Sequence, residues 1–248
     1  MKLSELLNKI EYSLQNGNID FDVSDICYDS RKANNENLFV AISGLTVDGH
    51  NFVMSAYQNG CRVFVVEKEV YLPDDAIVLT VNDTRKALAL LSKNLFGDPT
   101  SNMSVIGITG TKGKSSITGI LKKILDSAGF KTGTIGTNGV FYNDEHISSS
   151  HTTPESYETY KYLSMMQKAG CTHVIMEVSS LGLMMSRVWG ITFDYSIFTN
   201  LSPDHIGNGE HQSFEEYLNS KALIWKQSKH AVANLDDKHY DEITKDSD

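Results

Sequence analysis

The run Val105-Ile-Gly-Ile-Thr-Gly-Thr-Lys-Gly-Lys-Ser-Ser-Ile117 limits what this chain can fold into more than any other stretch. Val105 to Ile108 reads as a buried strand, and a glycine-bearing turn, Gly110 to Gly113, follows it. Lys114, Ser115 and Ser116 then open a predicted helix over 114–128. Its apolar residues, Ile117, Ile120, Leu121, Ile124, Leu125 and Ala128, recur at the three-and-four spacing of one helical face. Gly129 falls where a C-terminal cap belongs. Strand, glycine turn, Gly-Lys-Ser and helix, in that order, is the layout of a phosphate-binding loop. Glycine lets backbone N–H groups curl around phosphate oxygens without a Cβ in the way. The helix N-terminus adds partial positive charge. In such a loop Lys114 reaches terminal phosphates and the Ser115 hydroxyl holds Mg²⁺. The general pattern has a glycine five residues before the Gly-Lys pair; here that position is Ile108.

What surrounds this unit predicts an α/β chain. Residues 1–100 read as a small N-terminal α/β domain. Ser4 is the expected cap of a first short helix, and Asn37–Ile42, Val63–Val66 and Ile77–Thr80 are expected strands. A helix is expected over 50–59, and Asp83 caps another carrying Ala87, Leu88, Leu91 and Leu95. Gly97-Asp-Pro99 is the best linker, so a second domain is placed at 101–248. There the pattern alternates: strands at 104–109, 132–135, 172–178, 192–199 and 230–233, helices at 114–128, 154–169 and 213–228. Alternation of this kind implies a mostly parallel sheet flanked by helices, with ligands at the carboxyl ends of its strands.

The residues with chemical potential sit at those ends. Thr152-Thr153-Pro154-Glu155 reads as a helix start, Thr153 the N-cap and Pro154 the first helical residue; capping alone accounts for it, and a ligand role stays open. His173-Val-Ile-Met-Glu177 is a buried strand ending in an acid, which is either a surface carboxylate or a group serving Mg²⁺. Asp204-His205 follows a further strand, and Lys221 lies in a helix begun by Ser213; by composition Lys221 is a solvated surface lysine. The net charge of −9 argues against a nucleic-acid partner. No stretch is apolar enough to span a membrane, and Met1-Lys-Leu-Ser-Glu-Leu-Leu7 does not read as a signal peptide. Cys27, Cys61 and Cys171 form no paired motif and are expected to be reduced, buried thiols of a cytoplasmic protein.

Taken together these residues resemble the Mur ligases, most closely the MurE type, the UDP-MurNAc-tripeptide synthetases. The family's loop lacks the early glycine and here reads Thr109-Gly-Thr-Lys-Gly-Lys-Ser115, with Lys112 where asparagine is usual. The N-terminal hallmark resembles Asp29-Ser-Arg31, Leu38-Phe-Val-Ala41, Gly44 and Asp48-Gly-His50. Central hallmarks resemble Thr152-Thr-Pro154, Met176-Glu-Val-Ser-Ser180, Thr199-Asn-Leu-Ser-Pro-Asp-His205, the helix bearing Lys221, and Asn234-Leu-Asp-Asp237.

The resemblance implies an ATP-dependent acid–amino-acid ligase of peptidoglycan precursor synthesis. In the family, ATP phosphorylates the terminal carboxylate of UDP-MurNAc-L-Ala-D-Glu, and a diamino acid (meso-diaminopimelate or L-lysine) attacks the acyl phosphate. By motif position, Gly110, Thr111, Lys112, Gly113, Lys114, Ser115 and Ser116 are expected to hold ATP. Ser115, Glu177, His205 and Lys221 are expected to serve Mg²⁺, Lys221 as a carbamate. Lys114, Glu177, His205 and Lys221 carry the catalytic roles, and Ser30, Thr152, Thr153, Ser179 and Arg187 the UDP-sugar peptide. The family also implies a cytoplasmic monomer, with residues 1–100 binding UDP-MurNAc. It continues through more sheet and a third domain, so residues 101–248 read as an incomplete ATP-binding domain, inactive alone. Two departures touch the metal shell: Leu181 stands where histidine is common, and Gly207-Asn-Gly-Glu-His211 is longer than the usual run. The competing readings are a folylpolyglutamate-synthetase-like ligase, disfavoured by the N-terminal hallmark, and a non-catalytic module that captures UDP-sugar or nucleotide.

Overall fold

The computed structural model describes residues 1–204, 206–207 and 210–245. The chain divides into two compact units, Met1–Gly97 and Asp98–Asp248. At the division both Gly97 and Asp98 hold positive φ, +72° and +49°.

The first unit contains α1 (Leu3–Leu6), β1 (Ser13–Asn16), β2 (Asp25–Cys27), β3 (Asn37–Val40), α2 (Val53–Gln58), β4 (Val63–Val66), β5 (Ile77–Thr80) and α3 (Thr84–Leu95). Its sheet runs β1-β5-β4-β3-β2. β2 to β5 are mutually parallel, and β1 pairs antiparallel at the edge. The continuous apolar runs of β3 and β4 are buried throughout, as strands covered on both faces must be. Asp83 caps α3 by accepting from Arg85 N at 3.0 Å and Lys86 N at 2.9 Å. The stripe Ala87, Leu88, Leu91 is buried, and α3 packs on α1, β2 and β4.

Two expected helix starts differ. Lys2, not Ser4, stands at the N-cap of α1, and its side chain makes no capping bond. The helix expected from His50 opens as a 3₁₀ turn over Gly49–Phe52, because Asp48 accepts from His50 N at 2.9 Å and tightens the entry. His50 is itself buried and fully used: Nδ1 meets Asp48 Oδ1 at 2.6 Å, and Nε2 accepts from Glu67 N at 2.9 Å. Lys68, hydrogen-bonded to Asp48, and the His50 contacts hold that carboxyl well below the usual carboxylate range.

The second unit contains β6 (Ser104–Thr109), α4 (Lys114–Ser127), β7 (Thr132–Gly136), β8 (Gly139–Tyr142), β9 (Glu145–Ile147), α5 (Ser156–Lys168), β10 (His173–Glu177), α6 (Ser180–Met184), β11 (Phe193–Phe198), α7 (Phe214–Ala222), β12 (Ser228–Ala233) and α8 (Tyr240–Thr244). The sheet order is β12-β11-β6-β10-β7-β8-β9. The first five strands of that order are parallel, and the β8–β9 hairpin closes the edge antiparallel. Register brings the chemistry to one end: Glu177 lies opposite Ile108, and Phe198 opposite Thr109.

α4 packs on β6, β7 and β10, where Ile117, Leu121 and Leu125 meet Ile106, Ile108 and Ile175. The buried stripe is narrower than the sequence predicts: Ile120 and Ile124 remain 58% and 56% exposed. Ser213 caps α7 by accepting from Glu216 N at 3.1 Å. The helix expected over 213–228 ends sooner, as α7 gives way to a 3₁₀ turn at Trp225–Gln227 and β12 begins at Ser228. The three cysteines are buried and unpaired. Burial pushes the Cys27 thiol up to about 12. No helix among the described residues is long and apolar enough to cross a membrane.

Candidate functional site

The phosphate-loop residues are held by the strand beside them. Gly110 has φ +144°, and a Cβ there would lie 2.0 Å from Thr199 Oγ1, so only glycine passes. Asn200 templates the turn: its carbonyl accepts from Thr111 N at 2.8 Å, Oδ1 from Lys112 N at 3.0 Å, and Nδ2 donates to Lys112 O at 3.0 Å. Thr199 Oγ1 also donates to Lys112 O, at 2.8 Å. The Thr111 hydroxyl sits 2.9 Å from the Tyr217 phenol. Gly113, φ +89°, stands at the N-cap of α4 with no side chain over the helix end. Lys112 and Ser116 are exposed. The amides of the first turn and the positive helix end make this an anion-binding geometry.

Two lysines converge on this loop. Lys114 Nζ donates to Gly110 O at 2.8 Å and to Thr111 O at 3.2 Å. Lys221 Nζ donates to the same Gly110 O at 3.1 Å and lies 4.5 Å from the centre of the Tyr217 ring. Lys221 is 1% exposed, the reverse of the surface lysine its composition suggests. α7 positions it: Tyr217 and Leu218 face inward, and Lys221 follows at helical spacing on the same side. Burial, then the neighbouring Lys114 charge, lowers the Lys221 amine to about 7, with Asp204 opposing. Burial also lowers Lys114, opposed by Glu177 and Asp204.

Glu177 ends β10 and is 2% exposed. Its Oε2 accepts from Ser115 Oγ at 2.9 Å and from Thr137 Oγ1 at 3.0 Å; Oε1 accepts from Thr137 N at 3.2 Å. Thr137 was not among the sequence candidates. Neither was Gly136, where a Cβ would fall 2.2 Å from Glu177 Oε1. The strand-then-Gly-Thr ending of β7 was the available signal.

The segment after β9 corrects the capping assignment. α5 starts at Ser156 with Glu155 at its N-cap, so Thr153 and Pro154 lie outside the helix. Thr153 instead ties two strand ends together. Its hydroxyl donates to Glu177 O at 3.0 Å and accepts from Ser179 N at 2.9 Å, with Ser179 Oγ at 3.2 Å. Ser179 in turn caps α6, accepting from Gly182 N at 3.0 Å. Thr152 Oγ1 is 3.0 Å from Thr137 Oγ1. Arg187 donates to Thr153 O at 3.1 Å and forms an ion pair with Glu155. His211 is buried, with Nε2 2.8 Å from Ser180 Oγ. Ser30 belongs to the first unit, in a 3₁₀ turn beside a cavity of about 570 Å³ also lined by Tyr28, Arg31, Phe39 and Val47. His205 lies outside the described residues.

Ser115 and Glu177 supply hard oxygen donors 2.9 Å apart beside a phosphate-type loop, a set suited to Mg²⁺. Among the described residues there is no cluster of three or more His, Cys, Asp or Glu disposed to hold a metal.

Comparison with known proteins places this geometry in a family. Residues 108–248 match the Mur ligase middle domain, and residues 22–95 match the Mur ligase family catalytic domain. The chain is 42% identical over 246 residues to UDP-N-acetylmuramoyl-L-alanyl-D-glutamate–2,6-diaminopimelate ligase of Clostridium perfringens, covering 99% of this chain and 50% of that protein. The similarly named ligase of Clostridium tetani is 42% identical over 249 residues, with 99% and 51% covered. A solved structure of a UDP-N-acetylmuramoyl-L-alanyl-D-glutamate–2,6-diaminopimelate ligase superposes with TM-score 0.83 at 25% identity, covering 99% of this chain and 49% of that one. The chain thus spans about half the length of the curated relatives it matches. With a family model covering more than half its residues, this chain belongs to the Mur ligase family.

Proposed function

We propose that this chain carries the nucleotide and UDP-sugar sites of an ATP-dependent ligase that joins a diamino acid, meso-diaminopimelate by the names of its relatives, to UDP-MurNAc-L-Ala-D-Glu. One observation supports this most. The phosphate-type loop, Glu177, Lys221 and the Thr152–Thr153–Ser179 cluster meet at one end of the parallel strands of a single sheet.

The physical problem of the reaction is repulsion between a carboxylate and a triphosphate in a poorly screened site. The amides opening α4 and the Lys114 ammonium meet the phosphates. Ser115 and Glu177 are the residues to hold Mg²⁺, which supplies charge neutralisation when bound. Lys221 is suited to carbamoylation: with its amine near 7, about half is neutral and nucleophilic at that pH. The lone pair of the neutral amine would form the N–C bond to CO₂, and loss of the N–H proton to solvent leaves a carbamate anion with two oxygen donors. Thr152, Thr153, Ser179 and Arg187 line the side where the peptide carboxylate would lie, and Ser30 with its cavity serves the uridine nucleotide.

Titration calorimetry of the chain with MgATP, and separately with UDP-MurNAc-L-Ala-D-Glu, tests this. Both bind on this reading, and any phosphate release requires the UDP-sugar peptide and the diamino acid together. Failure of both ligands to bind, or ATP hydrolysis indifferent to the UDP-sugar, would refute it.

A further inference from the structure

The Thr137 hydroxyl has one proton and two neighbours. Glu177 Oε2, at 3.0 Å, belongs to a carboxylate and only accepts. Thr137 must therefore donate to it. The contact to Thr152 Oγ1, also 3.0 Å, then has a fixed direction: Thr152 donates and Thr137 accepts. Thr152 has spent its own proton and has only lone pairs left. The polarity of the Thr152 oxygen is thus set two residues away, by the charge on Glu177.

The seat for Glu177 is built at the same place. Thr137 N gives the carboxylate a second donor at 3.2 Å, and the absent side chain of Gly136 leaves room for Oε1. Donors to a buried carboxylate are the strong kind, and chained hydroxyls polarise each other. Thr137 itself is exposed and fills no core space. Its hydroxyl can be removed without opening a cavity.

We propose that Thr137 is a positioning residue that orients Glu177 and, through the Glu177–Thr137–Thr152 hydroxyl chain, presents Thr152 to the UDP-sugar peptide as an acceptor selecting an N–H or O–H group. This rests on the ligand class proposed above. Without Thr137, the Thr152 proton is released and faces the ligand's donor, and Glu177 loses one of its two anchors at the end of β7.

The experiment is a double-mutant cycle on the chain, read as UDP-MurNAc-L-Ala-D-Glu affinity by calorimetry without metal or nucleotide. Thr137→Val is expected to weaken binding about 5- to 20-fold, and Thr137→Ser to restore it within about 2-fold. Thr152→Val should weaken it similarly, and the double variant should be no weaker than Thr152→Val alone, because the two hydroxyls act as one unit. Thr137→Ala repeats the test in case valine crowds the strand end. Wild-type affinity in both Thr137→Val and Thr137→Ala would overturn the proposal; so would losses that multiply in the double variant, as two independent structural roles would give. If the unaltered chain binds no UDP-sugar peptide, the ligand reading falls first and takes this inference with it; the wild-type arm distinguishes the two failures.

Discussion

Replacing Lys221 with methionine should make the protein more stable in acid than in base, relative to wild type. The amine falls from its ordinary 10.5 to about 7 in the folded chain, first through burial and then through the Lys114 charge. The unfolded chain therefore binds more protons than the folded one between pH 7 and 10.5, and stability rises with pH across that window. Below the folded value the group is charged in both states and the full cost of burying it is felt, on the order of 5 kcal/mol. Methionine keeps the length of the side chain and removes the charge. The expected advantage of Lys221→Met over wild type shrinks by about 3 kcal/mol between pH 6 and pH 9. Urea denaturation of both proteins at the two pH values, in buffers freed of CO₂, measures it. An advantage that does not change with pH would show that Lys221 titrates as an ordinary lysine, and would remove the physical basis for its carbamoylation.

Two further changes test the framework. Gly136→Ala puts a methyl 2.2 Å from Glu177 Oε1 and must displace the carboxylate; urea unfolding should show a loss of about 1–3 kcal/mol, and an unchanged midpoint would refute the close approach. His50→Leu leaves the Glu67 N–H, now 2.9 Å from Nε2, without its acceptor. A loss of about 1–3 kcal/mol is expected by the same measurement, and none at all would mean that the buried imidazole contributes nothing to holding that turn.

Most of the sheet was legible because its strands are continuous apolar runs and its helices carry amphipathic spacing or a strong cap. β6, α4 and α3 fall close to where periodicity and Asp83 put them. What escaped was short or polar. β1 is Ser-Leu-Gln-Asn, exposed along its length, and pairs only because β5 offers an edge. The β8–β9 hairpin turns through Asn143 at φ +48°, a turn that the Asn143-Asp144 pair after the apolar run of β8 could have signalled. In the candidate site, the loop and Glu177 were readable from residue order. Thr153 reads as a cap in the sequence because a threonine before proline looks the same whether its hydroxyl meets a helix or, as here, a neighbouring strand end. The burial of Lys221 depends on α7 bringing it against the turn after β6, which no local pattern encodes. Thr137 has no motif; its meaning lies in the oxygen of Glu177, 40 residues away.

Both lysine amines point at one carbonyl, that of Gly110. Each raises the cost of the other's charge, and any polyanion settling on the loop lowers it for both. Filling the loop would therefore draw a proton onto Lys221 near neutrality and take away the lone pair that CO₂ needs. In a ligase working as proposed, this shared acceptor couples the charge on Lys221 to whether the loop is filled.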